Sequence, residues 1–199
     1  MKEAFLNSSI NMIEKYQKID DDEREKILYG LEGLYLSITK MTIILTLAFI
    51  LGILYEVIIL LVFFNIIRFT GFGFHAKKSI ECFLISSILF VLLPLLLLNL
   101  NINKLFIFII GLLGTIYLLI YAPADTIKRP LPNKKKRVIR KTITVITSII
   151  YLTIAININN YTISILLLSA IIVESVMVSP ITYKLFGQPY RNYLNYKKA

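Results

Sequence analysis

The stretch RFTGFGFHAKKSIECF, Arg68 to Phe83, holds the only histidine and the only cysteine of a 199-residue chain, His75 and Cys82. A thiol with an imidazole in reach is a pair for nucleophilic acyl transfer: the thiolate attacks a carbonyl, and the imidazole takes a proton and returns it. Lys77 and Lys78 lie between the two residues, and positive charge favours the thiolate form. Gly71 and Gly73 precede the histidine, where glycine permits a tight loop. A plainer reading fits the same residues: the cysteine packs as a small apolar side chain and the histidine sits among headgroups. Geometry sets a condition on the chemistry. On one straight helix, residues seven apart share a face but stand ~10.5 Å apart along the axis at ~1.5 Å per residue. A thiol–imidazole hydrogen bond needs roughly 3 Å. The pair therefore requires His75 to lie off the helix, on the glycine loop, with the chain bent back towards Cys82.

The elements that must position this stretch are apolar. The chain is 57% hydrophobic, has no tryptophan and has a mean hydropathy of +0.73; a soluble domain is about 45–50% apolar. It reads as an integral membrane protein. A single cysteine excludes an internal disulfide. The first 40 residues are polar and mixed in charge, unlike a cleavable signal peptide. Within them Ile27, Leu28, Leu31, Leu34, Tyr35 and Ile38 fall at helical spacing behind the acidic run Asp20–Glu23, which suits a helix N-terminus. That run lacks the glycine and distal glutamate of a calcium loop.

Apolar blocks follow at Met41–Ile67, Phe83–Leu100, Leu105–Ala122, Ile143–Ile158 and Ile163–Val178. A span needs about 20 residues, so the first block is long for one span and short for two. Charge decides. With the first block folded as a hairpin, 21 of the 22 Lys and Arg fall on one side and only Lys104 on the other. The net charge of +10 is thus a matter of topology rather than of nucleic acid. The expected fold is all-α: a polytopic membrane helical bundle of about six segments, the first pair short or re-entrant with Glu56 at its turn. An N-terminal amphipathic interfacial helix precedes it, and both termini are cytoplasmic. Residues 1–40 form the amphipathic segment, 41–181 the membrane domain and 182–199 a cytoplasmic tail.

Other polar residues admit two readings each. Asp125 either orients His75 or caps the turn PADT. Ser79 either donates to an oxyanion or caps local backbone. Glu81 adjoins Cys82 but points elsewhere on a helix. Lys128, Arg129, Lys134, Lys135, Lys136 and Arg137, with Arg140 and Lys141, serve topology and anionic lipid, or also receive an acidic peptide. Pro130 and Pro132 hold this basic segment in a non-helical loop. Glu174, at membrane depth, is a functional candidate without an identified partner. Tyr183, Tyr190, Tyr193 and Tyr196 read as an interfacial belt.

Two segments resemble a known family. Arg68, Gly71 or Gly73, His75, Ala76, Ser79 and Cys82 form one; YAPADTIKRPL, Tyr121 to Leu131, is the other. With the chain length and order of elements, they resemble the accessory gene regulator B (AgrB) family, membrane cysteine peptidases of Gram-positive quorum sensing. Members often carry paired glycines before the aromatic residue and the histidine; here Phe72 splits them. The resemblance implies that Cys82 is the nucleophile and His75 the base, with Arg68, Gly71, Gly73, Ser79 and Asp125 in support. It implies cleavage of an AgrD-like propeptide and closure of the product to a thiolactone or lactone, without metal or cofactor. It also implies a homodimer at the cell membrane, working at the cytoplasmic face. Two rivals remain: a peptide transporter or export channel using Glu56 and Glu174, and a non-catalytic scaffold.

Overall fold

A computed structural model describes residues 2–17, 19–74, 79–100, 102–126 and 130–196. The chain forms two compact units, residues 1–47 and 48–199.

In the first unit, α1 (Lys2–Tyr16) lies along the start of α2 (Asp21–Ile50). The Asp20 carboxylate accepts the Glu23 N–H at 2.7 Å, and Asp21, Asp22 and Glu23 complement the helix dipole. Two exposed ion pairs, Lys2–Glu32 at 2.7 Å and Arg24–Glu14 at 2.9 Å, join the helices. Solvent-exposed pairs of this kind contribute little to stability. Phe5 stacks against Tyr35 with ring centroids 5.4 Å apart. α2 does not stop where the apolar block begins. No glycine or proline stands between Gly33 and Gly52, so nothing ends the helix, and its 30 residues reach ~45 Å.

The second unit is a helical bundle. α2 ends before Gly52 (φ +71°), and α3 (Leu54–Gly71) follows with Glu56 in its first turn. α3 continues past the apolar block to Gly71. α4 (Ser79–Ser87) leads through a π-helical turn, Ile88–Leu92, into α5 (Leu93–Asn99). Pro94 supplies no N–H for a carbonyl one turn back, and the widened turn lies just before it. α6 (Lys104–Tyr121), α7 (Lys134–Asn157) and α8 (Tyr161–Val178) complete the spans. Short α9 (Pro180–Leu185) and α10 (Tyr193–Tyr196) follow. Among the described residues, six helical segments are long and apolar enough to cross a membrane, as expected from the charge pattern.

α8 is the centre of the bundle. It is apolar on all sides, and α3, α6 and α7 pack around it, burying 67% of its residues. Asparagines cap the helices: Asn103, Asn133 and Asn160 accept from the N–H groups of Leu105, Lys136 and Ile163. Lys104 donates to the Ile156 and Ile158 carbonyls at 3.3 and 2.8 Å. It neutralises the C-terminal end of α7.

The basic segment departs from expectation. Pro130 and Pro132 keep only residues 130–133 out of a helix. Lys134, Lys135, Lys136 and Arg137 form the first turn of α7, because the Asn133 cap starts a helix one residue after the prolines end their effect. Tyr183 also departs. It is fully buried rather than part of an interfacial belt, because two carbonyls satisfy its hydroxyl.

Candidate functional site

α3 ends at Gly71 because the next two residues leave helical space: Phe72 has φ +60° and Gly73 φ +99°. Residues 72–74 then run as a short strap. The Gly73 N–H donates to Ala124 O at 2.8 Å, the Ala124 N–H to Gly71 O at 3.0 Å, and the Phe74 N–H to Met177 O at 2.7 Å. The strap is thus stitched to the loop after α6 and to the end of α8. Tyr183 fastens the far side of this junction, donating to Ala124 O and Asp125 O at 3.0 and 3.2 Å. Burial raises its phenol far above the ordinary value, which keeps it a donor. Phe74 packs between Tyr183 and Phe186, with ring centroids 6.0 and 4.7 Å away.

Cys82 lies half-buried in the first turn of α4. No continuous helix therefore joins Arg68 to Cys82: α3 stops at Gly71 and α4 starts at Ser79. His75, Lys128 and Arg129 lie outside the described residues, as does the side chain of Ser79. Asp125 is buried, and its carboxylate accepts the Leu131 N–H at 3.2 Å. Its carbonyl accepts from Asn192 at 3.1 Å as well as from Tyr183. Asp125 thereby ties this loop to Leu131 and Asn192.

Arg68 reaches over the strap. Its Nη2 donates to Phe74 O at 2.6 Å and more weakly to Gly73 O at 3.4 Å. Its Nη1 stands 3.6 Å from Glu174 Oε2. Arg68 is thus the partner of Glu174 that sequence reasoning could not name, 106 positions away. The signal was present only as an acidic residue inside an apolar block. Both glycines are explained by this arrangement. A Cβ at Gly71 would collide with Glu174 Oε1, and one at Gly73 would come within 2.6 Å of Arg68 Nη1 and 2.8 Å of Met177 O.

The basic residues divide by face. Lys134, Arg137 and Lys141, at helical spacing on α7, line a cavity of about 270 Å³ with Tyr190, Arg191 and Tyr193. The Arg137 guanidinium lies 3.3 Å from the Tyr193 ring centre. Burial pushes the Tyr190 phenol up to about 12. Arg140 faces the other way, donating to Phe69 O at 2.9 Å with its guanidinium over Phe72 at 4.5 Å. Lys135 and Lys136 are exposed and do not line the cavity.

These features define a multi-pass helical membrane protein with a cysteine-bearing helix, a strap and a basic cavity among its polar loops. Residues 6–178 match the family described as Accessory gene regulator B. An AgrB-like protein of Clostridium acetobutylicum is 30% identical over 187 residues, covering 94% of this chain and 90% of that protein. One from Listeria monocytogenes is 31% identical over 189 residues, covering 94% and 92%. Accessory gene regulator protein B of Staphylococcus aureus is 27% identical over 172 residues, covering 86% and 90%. No solved structure matches the chain. The chain belongs to the accessory gene regulator B family, a family of accessory gene regulator quorum sensing.

Proposed function

We propose that this protein is a membrane cysteine endopeptidase that matures an AgrD-like propeptide into a cyclic autoinducing peptide. The observation that carries the reading is the break between α3 and α4: the chain leaves the helix at Gly71, four residues before His75, and a new helix starts at Ser79 with Cys82 in its first turn. That break removes the ~10.5 Å separation a continuous helix would impose.

The Cys82 thiolate attacks the scissile carbonyl. The carbonyl–nitrogen bond breaks, the C-terminal tail leaves as an amine with a proton from His75, and the N-terminal portion remains as a thioester on Cys82. A thiol or hydroxyl within the bound peptide gives its proton to His75 and attacks the thioester carbonyl. The new ring bond forms as the bond to Cys82 breaks. Exchange between thioesters is nearly balanced whereas hydrolysis is downhill, so a site half-sunk in the bilayer favours the ring by excluding water. Holding the peptide's own nucleophile close makes closure intramolecular.

Lys134, Arg137 and Lys141 receive the acidic tail of the propeptide. Support comes from four cations in the first turn of α7, where the helix dipole favours negative charge. Anionic lipid headgroups compete for the same residues. The working protein is a homodimer at the cell membrane, with its active site at the cytoplasmic face, and binds no nucleic acid. Transport through a pathway of Glu56 and Glu174 is less well supported. Glu56 is in the first turn of α3, whereas Glu174, on α8, lies against Gly71 at the far end of α3, ~22 Å of helix away, and faces Arg68.

The test is propeptide processing in reconstituted membranes. Cys82→Ala and His75→Ala should each abolish cleavage, and wild-type protein should yield a thioester adduct on Cys82. Cleavage that survives both substitutions would overturn the reading.

A further inference from the structure

Glu174 is completely buried in the central helix of a membrane bundle. A carboxylate there is retained only where something offsets its loss of water. Among the described residues its ionic neighbour is Arg68, and the 3.6 Å separation is an ion pair but too long for a good hydrogen bond. Both carboxylate oxygens and Arg68 Nη1 lack a hydrogen-bond partner among the described residues. By itself the pair is a poor stabiliser. What distinguishes it is the other arm of the guanidinium. Nη2 makes a short, charge-assisted bond to Phe74 O at 2.6 Å, and the residue after Phe74 is His75.

The guanidinium is a rigid planar fork, so the direction of Nη1 sets the direction of Nη2. The strap is held on two sides. Its N–H groups go to Ala124 O and Met177 O, and its carbonyls go to Arg68. Only the second hold depends on Glu174. Arg68 also has another place to go: its side chain is 18% exposed and borders a cavity of about 370 Å³ lined by Asn65, Phe69 and Arg140. A guanidinium without a counter-charge would turn towards that cavity and its water, releasing the Gly73 and Phe74 carbonyls. Gly71 completes the device, since any side chain there would displace the Glu174 carboxylate.

We propose that Glu174 is a positioning residue. Acting through Arg68, it fixes the backbone immediately before His75 and so the approach of the imidazole to Cys82. The last step rests on the peptidase reading above; the hold on the strap does not.

The experiment uses the full-length protein in lipid nanodiscs and two measurements. Amide hydrogen exchange follows the peptide containing Gly73 and Phe74. The rate of Cys82 alkylation by iodoacetamide at neutral pH is compared with that of His75→Ala. In Glu174→Gln, exchange at Gly73–Phe74 should quicken by roughly tenfold or more, the factor that goes with losing a hydrogen bond to a charged group. Exchange in α6 should not change, and alkylation should fall to the His75→Ala rate. The double variant Arg68→Met/Glu174→Met guards against simple misfolding, because apolar replacement of a buried ion pair is commonly neutral or stabilising. It should remain as heat-stable as wild type yet show the same two defects. Wild-type exchange in the folded double variant would overturn the proposal. Faster exchange with alkylation unchanged, while His75→Ala does slow alkylation, would overturn the positioning role. If His75→Ala leaves alkylation unchanged as well, it is the peptidase reading that fails.

Discussion

Two glycines separated by one phenylalanine carry most of the local geometry, and each is constrained for a different reason. Gly71 is helical and needs its space for Glu174 Oε1; Thr144 Cγ2 would also stand 3.4 Å from an added Cβ. Gly73 needs both space and a positive φ. Gly71→Ala is therefore expected to destabilise by about 1–3 kcal/mol, the usual cost of overpacking. Gly73→Ala should cost more, since backbone strain and contacts with Met177 O and Arg68 add to one another. Thermal unfolding in detergent measures both. Equal stability of Gly73→Ala and wild type would contradict the strap geometry. Tyr183→Phe makes a milder case. Ala124 O and Asp125 O each keep a second donor, Gly73 N–H and Asn192 Nδ2. Losing the phenol should thus cost only about 1 kcal/mol; a loss several times larger would mean that the hydroxyl does more than join two satisfied carbonyls.

At the level of elements, α7 places like charges where its own dipole disfavours them. Lys134, Lys135, Lys136 and Arg137 fill its first turn, which holds no acidic residue. Replacing Lys134, Arg137 and Lys141 by Glu should leave the helix as stable or stabilise it, since acidic groups near an N-terminus contribute about 0.3–1 kcal/mol each. Processing of the propeptide should nevertheless fall by roughly tenfold or more, at about 1 kcal/mol of attraction per cation. Reversal of Lys135 and Lys136, which do not line the cavity, should do less. Equal losses from both sets, with insertion intact, would return these residues to a purely topological role. The start of α7 also marks a limit of sequence reasoning. Prolines 130 and 132 suggested a loop through Lys141, but proline restricts its own and the preceding residue, and Asn133 could start a helix directly after them. The apolar blocks made the spans legible because each records a local property. The strap was only half legible: the glycines predicted a bend, while its partners Ala124 and Met177 lie about 50 and 100 positions away. Glu174 was visible as an anomaly, but pairing it with Arg68 needs the packing of α3 against α8, which no local pattern contains. The histidine–cysteine chemistry was suggested by residue types alone, and His75 lies outside the described residues.

Across the whole molecule, polar features gather at two ends. One end joins the strap, Ala124, Met177 and Tyr183. The other joins Lys104 to the last carbonyls of α7 and Tyr161 to Ile102 O at 2.8 Å. The cations are divided unequally between them. If all six helices cross, 21 of 22 Lys and Arg fall on the strap side, and the positive-inside rule predicts that this side is cytoplasmic. The orientation can be read by single cysteines in a Cys82→Ser background, labelled with a membrane-impermeant thiol reagent. Cysteines at Leu51 and Asn159 should react in intact cells, and those at Lys134 and Gln188 only after permeabilisation. Asn159 and Lys134 flank one helix, α7, so their accessibilities must be opposite if α7 crosses once. Leu51 and Asn159 must agree if the hairpin of α2 and α3 is a true pair of spans. Labelling of Asn159 but not Leu51 from outside would make the first pair re-entrant. It would leave the strap, Cys82 and the N-terminus on the same face. Labelling of Lys134 from outside would invert the bundle. The acyl-transfer site would then face an extracellular substrate, and a cytoplasmic propeptide could reach it only after export.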